Sequence, residues 1–202
     1  VQQVLNRYRA NPNVIYAEPD FLVRAVATPT DPDFAAKQWD MAKIAAPTAW
    51  DLHTDSSGIV VAIIDTGIDF GHPDLQANLY TDPSNASIHG YTCMNGSCVP
   101  GGQDDHGHGT HVAGIAAGNG VTQSGKAFDG SYDATLDLRG FGVAPGMAPK
   151  ASLVALRVFG CGGQTGLLPL ALERAAELDA QYGRTPDLAS LPMYCVPFSF
   201  KD

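Results

Sequence analysis

The sequence predicts an α/β protein with a doubly wound, mostly parallel sheet. Residues 59–64 are apolar on both faces, as is typical of a central parallel strand that is covered by helices on both sides. Helical and strand patterns then alternate, with a helix predicted at 110–117, a strand at 151–158 and a helix at 167–180. The hydrophobic content of 45% and charged content of 16% are those of a chain that can bury a core.

The predicted elements before the first strand are short. An amphipathic helix, a turn at residues 11–13 and a strand at 14–17 occupy the first 24 residues, which alone are too few to bury a core. Residues 25–33 form a proline-containing linker, and a helix is expected around Trp50. Residues 118–140, rich in glycine and aspartate, are predicted to be a surface insertion.

Charge and hydropathy exclude two classes of partner. The net charge of −9 argues against a polyanion such as nucleic acid as the main partner. No apolar run approaches the roughly 18 residues that a membrane-spanning helix needs, so no membrane partner is predicted.

Two segments place chemically useful side chains at the ends of predicted elements. Asp65 follows the first apolar strand directly, at the end where α/β proteins bind ligands. His108 lies between two glycines at the start of a predicted helix, which either Asp104 or Asp105 is placed to cap. Because a helix N-terminus disfavours imidazolium, a carboxylate near His108 is needed if this imidazole is to accept a proton.

The resemblance of this chain to a known family rests on two segments, 61–69 (VAIIDTGID) and 106–114 (HGHGTHVAG). They resemble the Asp and His segments of the subtilisin-like serine proteases, in the family's order. The resemblance implies a subtilisin-like fold and a secreted serine endopeptidase that acts on peptides or proteins. Asp65 would orient His108, and His108 would act as general base and general acid in an acyl-enzyme reaction that requires no cofactor.

The resemblance also implies a domain organisation. Residues 1–27 resemble the C-terminal part of an inhibitory propeptide, which makes the chain's own propeptide an expected partner; an ordinary N-terminal helix and strand are the alternative. Residues 28–188 correspond to the N-terminal part of the peptidase domain. After the strand at 151–158, the family's substrate peptide pairs with a nearly bare backbone edge, which here implicates Gly162, Gly163 and Gln164; a flexible loop is the alternative.

The tail at residues 189–202 departs from the family pattern. Two prolines argue against a central strand there, and no Gly-Thr-Ser-Met-Ala type segment occurs in the 202 residues. We therefore expect a chain truncated at its C-terminus, with a frameshifted or prematurely ended tail, that is inactive as written. Without later strands, the sheet is expected to leave an unpaired edge beside the strand at 151–158. A non-catalytic peptide-binding pseudoprotease is the alternative.

Other chemistries fit parts of the pattern. His106, His108 and His111 have a spacing that would suit a zinc hydrolase, whereas for His111 a hydrogen-bonded core position is favoured. Asp-Thr-Gly is also found in aspartic proteases, but these need two such carboxylates, and a second copy of the tripeptide is absent from the sequence.

The resemblance also bears on a metal and on the cysteines. In relatives the aspartate equivalent to Asp74 often binds a structural calcium, but the insertion at 118–140 replaces the companion loop, so a turn-capping role is equally expected. The Asn-Gly turn between Cys93 and Cys98 would bring these thiols together, and the export typical of the family favours a disulfide over two free thiols. Cys161 is expected to lack its partner.

Overall fold

The computed structural model describes residues 2–12, 14, 29–51, 54, 56–133, 135–160, 168–182 and 186–189. In this part of the chain four helices precede the first strand, and two further helices lie among the strands that follow. The helices are α1 Gln2–Arg9, α2 Phe34–Lys37, α3 Trp39–Lys43, α4 Ala46–Trp50, α5 His108–Ala117 and α6 Leu168–Tyr182, with short 3-10 turns at Gln76–Asn78 and Leu138–Gly140. The strands are β1 Val60–Asp65, β2 Gly90–Met94, β3 Ser97–Pro100, β4 Val121–Thr122, β5 Phe141–Val143, β6 Ser152–Arg157 and β7 Pro186–Ala189.

The main sheet has the strand order β3-β2-β6-β1-β7. The strands β2, β6, β1 and β7 run parallel to one another. β3 is antiparallel to β2, as the return strand of a hairpin. Every residue of β1 is buried, as expected of a parallel strand with helices on both faces. The predicted mostly parallel sheet is confirmed.

The two faces of the sheet bury separate cores. Alternate residues of β1 point to opposite sides, as the two-residue period of a strand requires. Val60, Ala62 and Ile64 join the cluster beneath α6, whereas Val61 and Ile63 join the cluster beneath α5. Helices on both faces make the sheet doubly wound and hold the carboxyl end of β1 between α5 and the neighbouring strand β6.

The entry segment packs as a small third cluster. Phe34, Met41 and Ala46, one from each of the helices α2 to α4, are buried together. Trp50 closes the cluster, and its indole N–H donates to the carbonyl of Met147 at 2.8 Å. The helix predicted around Trp50 is therefore present as α4.

Two expectations about the fold need comment. The residues 118–140, predicted to be a surface insertion, contain β4, which pairs antiparallel with β5. The strand at 151–158 was expected to lie beside an unpaired edge, but β6 is central, with β2 on one side and β1 on the other. That expectation was wrong because β2, which covers this side of β6, is only five residues long and was not recognised as a strand.

Several earlier predictions lie on residues outside the described ranges. These are the strand at 15–17, the linker and propeptide boundary before residue 29, and nearly all of the tail after residue 188. Within the described ranges, no helix is both long enough and apolar enough to cross a bilayer.

Candidate active site

Asp65 is the last residue of β1, and its side chain is held in one orientation. The carboxylate is only 3% exposed. Its Oδ1 oxygen accepts the backbone N–H of Thr66 at 2.7 Å and lies 2.8 Å from the Nδ1 atom of His108. The predicted contact between Asp65 and His108 is therefore present. Because an ionised carboxylate can only accept, the His108 Nδ1 atom carries the proton and Nε2 remains as the basic nitrogen.

The close approach of helix α5 to the end of β1 creates this contact. Gly109 lies in the first turn of the helix, and a Cβ atom there would collide with the backbone carbonyl of Gly67. Gly67 itself has a φ of 110°, a left-handed conformation that glycine adopts without strain. The hydroxyl of Thr66 accepts the backbone N–H of Gly109 at 2.9 Å. The Asp65 turn and the helix that carries His108 are thus joined directly.

The loop before α5 contains two adjacent aspartates with different surroundings. Asp104 is half-buried and bonds to the first turn of the helix, including the N–H of Thr110 at 3.0 Å. Burial disfavours its charge, yet the hydrogen bonds from the Thr110 hydroxyl and from backbone amides hold the pKa of Asp104 below its ordinary value. Asp105 faces away and pairs with Arg157 at 2.5 Å. Asp104 is therefore the residue that caps the helix.

Arg157 ties this loop to the end of β6. Its guanidinium donates to the carbonyl of Gln103 at 3.1 Å, to the carbonyl of Phe159 at 3.1 Å and to the carboxylate of Asp105. Gly160 leaves room for the guanidinium, because a Cβ atom at this position would collide with it. Arg157 thus anchors the backbone just before residues 162–164. Sequence reasoning did not find Arg157, although an arginine at the end of a buried strand was a usable signal.

The structure separates the three histidines of the zinc alternative. His108 points to Asp65, whereas His106 and His111 are both exposed. No group of three or more His, Cys, Asp or Glu side chains in the described part of the chain is arranged to hold a metal ion. The core position expected for His111 was wrong, because Gly109, Val112, Ala113 and Ala117 define the buried face of α5 and His111 lies outside it.

The expected substrate-pairing residues Gly162, Gly163 and Gln164 lie outside the described residues. The turn predicted between the cysteines is present as part of a hairpin, with Cys93 in β2 opposite Cys98 in β3. Asn95 and Gly96 form its turn with φ angles of 53° and 82°, as a two-residue hairpin loop requires. Cys93 and Cys98 are joined by a disulfide bond, as expected.

Asp74 does not have the surroundings of a calcium ligand. Its side chain is buried, and its Oδ1 oxygen has no hydrogen-bond partner in the described part of the chain. Burial raises the pKa of the Asp74 carboxyl, and backbone hydrogen bonds from Gly120 and Asn119 oppose the rise. Calcium requires six to eight oxygen ligands. Here the insertion presents N–H groups to the carboxylate, so the residues do not fit this ion.

The contact between Asp65 and His108 has the arrangement of two of the three residues in a Ser/His/Asp triad. A buried aspartate at a strand end orients a histidine at a helix start, in a doubly wound parallel sheet, as in hydrolases that use a Ser/His/Asp triad. The sequence model of the subtilase family matches residues 56–181. The chain belongs to the subtilase family.

Curated relatives agree with this assignment. "Thermophilic serine proteinase" of Bacillus sp. (strain AK1) is 33% identical over 171 residues, which are 85% of this chain and 36% of that protein. "Thermitase" of Thermoactinomyces vulgaris is 38% identical over 136 residues, 67% of this chain and 38% of that protein. "Minor extracellular protease Vpr" of Bacillus subtilis (strain 168) is 32% identical over 161 residues, 75% of this chain and 16% of that protein. The chain thus spans little more than a third of the first two relatives.

Proposed function

We propose that this chain carries the aspartate and histidine of a serine endopeptidase. The observation that supports the proposal most directly is the 2.8 Å contact between the Asp65 carboxylate and His108 Nδ1, inside the region that matches the subtilase family. The nucleophilic serine would come from a family segment that these 202 residues do not include. The 202 residues alone are therefore expected to form no acyl-enzyme.

The two residues would act as one proton-transfer unit. His108 Nδ1–H donates to Asp65, which fixes the ring orientation and leaves Nε2 to accept the proton of the serine hydroxyl. As the serine attacks the substrate carbonyl, the buried carboxylate stabilises the imidazolium that forms. The same Nε2 then gives its proton to the departing amine, and a water molecule repeats the cycle on the acyl-enzyme. No cofactor is required for these steps.

The remaining assignments are proposals that follow from the same activity. Residues 1–27 would be the end of an inhibitory propeptide and residues 28–188 part of the peptidase domain. Gly162, Gly163 and Gln164 would pair with the substrate backbone. We propose a secreted protein, which the Cys93–Cys98 disulfide supports, since such bonds persist in oxidising compartments. A protein or peptide is the proposed substrate.

A chimera tests the proposal. Residues 1–188 of this chain would be followed by the part of the "Thermophilic serine proteinase" of Bacillus sp. (strain AK1) that lies beyond its matched segment, so that this serine proteinase supplies the missing serine segment. We expect this completed chimera to react with a fluorophosphonate label at one serine and to hydrolyse casein. The chain 1–202 alone is expected to take no label.

The matched control is the chimera with His108→Ala, which keeps the serine but removes the base. It should lose both labelling and hydrolysis. A chimera that unfolds cooperatively, and is therefore folded, but takes no label would contradict the proposal. A chain 1–202 that binds peptides without turnover would then favour the pseudoprotease.

A further inference from the structure

Asp104 joins the two segments that carry the candidate catalytic pair. Its carboxylate accepts five hydrogen bonds, which come from the Asp65 turn, from the loop residues just before α5 and from the first turn of α5. Oδ1 accepts the hydroxyl of Thr66 at 2.8 Å and the backbone N–H groups of His106 at 2.9 Å and Gly107 at 3.0 Å. Oδ2 accepts the N–H and the hydroxyl of Thr110.

The hydroxyl groups of Thr66 and Thr110 extend the hydrogen-bond network of Asp104 to the helix start and to the loop after β1. The Thr66 hydroxyl donates to Asp104 and accepts the N–H of Gly109, so it is fixed in direction at both ends. The Thr110 hydroxyl donates to Asp104 and accepts the N–H of Asp69, four residues beyond Asp65. The loop after β1 and the first turn of α5 therefore share one carboxylate as their common acceptor.

The distance between Asp65 and His108 depends on this connection. β1 fixes the backbone of Asp65, but His108 is the first residue of its helix, where the leading N–H groups have no partners within the helix. Without an acceptor for these groups, the first turn would fray and the imidazole would move relative to the strand.

We propose that Asp104 is the positioning residue that holds His108 in register with Asp65. It acts through the helix start and the Thr66 hydroxyl rather than by contact with substrate. The catalytic role of Asp104 rests on the proposed function, whereas its effect on the position of His108 can be measured in the 202-residue chain itself.

The first experiment measures the His108 Nδ1–H proton of the 202-residue chain by NMR. Hydrogen bonding to a buried carboxylate should give a slowly exchanging signal. We expect Asp104→Ala to speed its exchange with water at least about tenfold, because the local opening of the helix start becomes easier. Asp104→Asn keeps one acceptor oxygen and should fall between the two.

Asp105→Ala is the matched control, since it removes the adjacent carboxylate, which pairs with Arg157 and not with the helix. It should leave the exchange rate unchanged. If Asp104→Ala does not fold, Thr66→Val and Thr66→Ser test the same connection without a change of charge. Val should speed exchange and Ser should restore it. A folded Asp104→Ala or Thr66→Val chain with unchanged exchange, or an equal effect of Asp105→Ala, would overturn the inference.

The second experiment uses the completed chimera. There Asp104→Ala should lower kcat about tenfold with KM little changed, because the proton-transfer geometry is altered while the substrate edge is not. A chimera that shows no hydrolysis even with Asp104 intact would contradict the proposed function. The NMR result would still decide the positioning role of Asp104.

Discussion

Helix α5 has a buried aspartate at each end, and the two behave differently. Asp65 lies beside the first turn and Asp74 lies beside Gly118, the residue that follows the last turn. Both are almost fully buried, at 2% and 5% exposed. Asp65 receives a backbone N–H and the imidazole of His108, whereas one oxygen of Asp74 has no partner in the described part of the chain.

Burial alone does not determine how a carboxylate is hydrogen-bonded and oriented. Asp65 lies near the N-terminus of the helix, where the partial positive charge of the peptide dipoles favours an anion. Asp74 lies near the C-terminus, where the same dipoles disfavour one, and burial raises its pKa. The N-terminus of α5 therefore adjoins an oriented Asp65, whereas the carboxyl of Asp74 at the other end has a raised pKa.

The largest expected difference between the two aspartates is in catalysis. In the completed chimera, Asp65→Asn should lower kcat by about 10⁴-fold, because the amide favours the wrong imidazole tautomer. Asp74→Asn keeps a similar shape far from His108 and should change kcat by less than about threefold. Steady-state hydrolysis of a peptide substrate measures both. If the two variants lose activity equally, Asp65 has no special role.

The second difference is in packing against the helix. A Cβ atom at Gly109 would meet the backbone carbonyl of Gly67, which cannot move easily, so Gly109→Ala should lower the free energy of unfolding by about 3 kcal/mol. A Cβ atom at Gly118 would lie 2.6 Å from the Asp74 Oδ2 atom, which can adjust, and 2.8 Å from the Gly114 carbonyl, a milder backbone contact than the one at Gly109. Gly118→Ala should therefore cost less, about 1 kcal/mol.

Gly114 in the same helix supplies the control. A Cβ atom there has no neighbour within 4 Å, so Gly114→Ala should raise the free energy of unfolding by about 0.5–1 kcal/mol through helix propensity alone. Urea unfolding of the 202-residue chain gives all three values. A greater cost at Gly118 than at Gly109 would show that the Asp74 end is the more rigid one.

The third difference is in the dependence of stability on pH. A folded-state pKa above the unfolded value means that the folded chain binds the proton more tightly. The stability that protonated Asp74 contributes is therefore present at low pH and lost as the pH rises above the ordinary value of 3.8 through the raised pKa. The Asp74→Asn variant lacks this titration. Its free energy of unfolding, relative to that of the parent, should therefore increase as the pH rises from 3.8 through the raised pKa.

Urea unfolding at several pH values between about 4 and 7 measures this slope. Asp129→Asn, at a carboxylate that is 87% exposed, is the control and should leave the slope unchanged. The opposite outcome is a stability of Asp74→Asn, relative to the parent, that stays constant or decreases as the pH rises. Either result would refute the raised pKa of Asp74.

The sequence predicted one end of the helix better than the other. Asp65 and His108 could be found because a strand end and a glycine-flanked helix start are local patterns. Asp104 could not be distinguished from Asp105 in the sequence, because the residues are adjacent and identical. Only the path of the loop decides which carboxylate meets the helix start. The error at His111 was avoidable, since the spacing of Gly109, Val112 and Ala113 already places it outside the buried face.

The surroundings of Asp74 could not be predicted, because they depend on the insertion. Residues 118–140 contain few regular elements, and the backbone amides of Asn119 and Gly120 reach Asp74 from the far end of α5. The central position of β6 was missed for a related reason, since its neighbour β2 is too short to be recognised by periodicity.

A further expected effect concerns Tyr132, which lies near Asp74. Its hydroxyl donates to the carbonyl of Asn119 at 2.7 Å, next to one of the amides that bond to Asp74. Tyr132→Phe keeps the ring, which packs edge-on against Phe128, and removes this bond, so it should lower the free energy of unfolding by about 1 kcal/mol. Tyr132→Leu also removes the ring contact and should cost more. Urea unfolding compares the two with the parent; a Phe variant as stable as the parent would mean that the hydroxyl does not help to hold the insertion over Asp74.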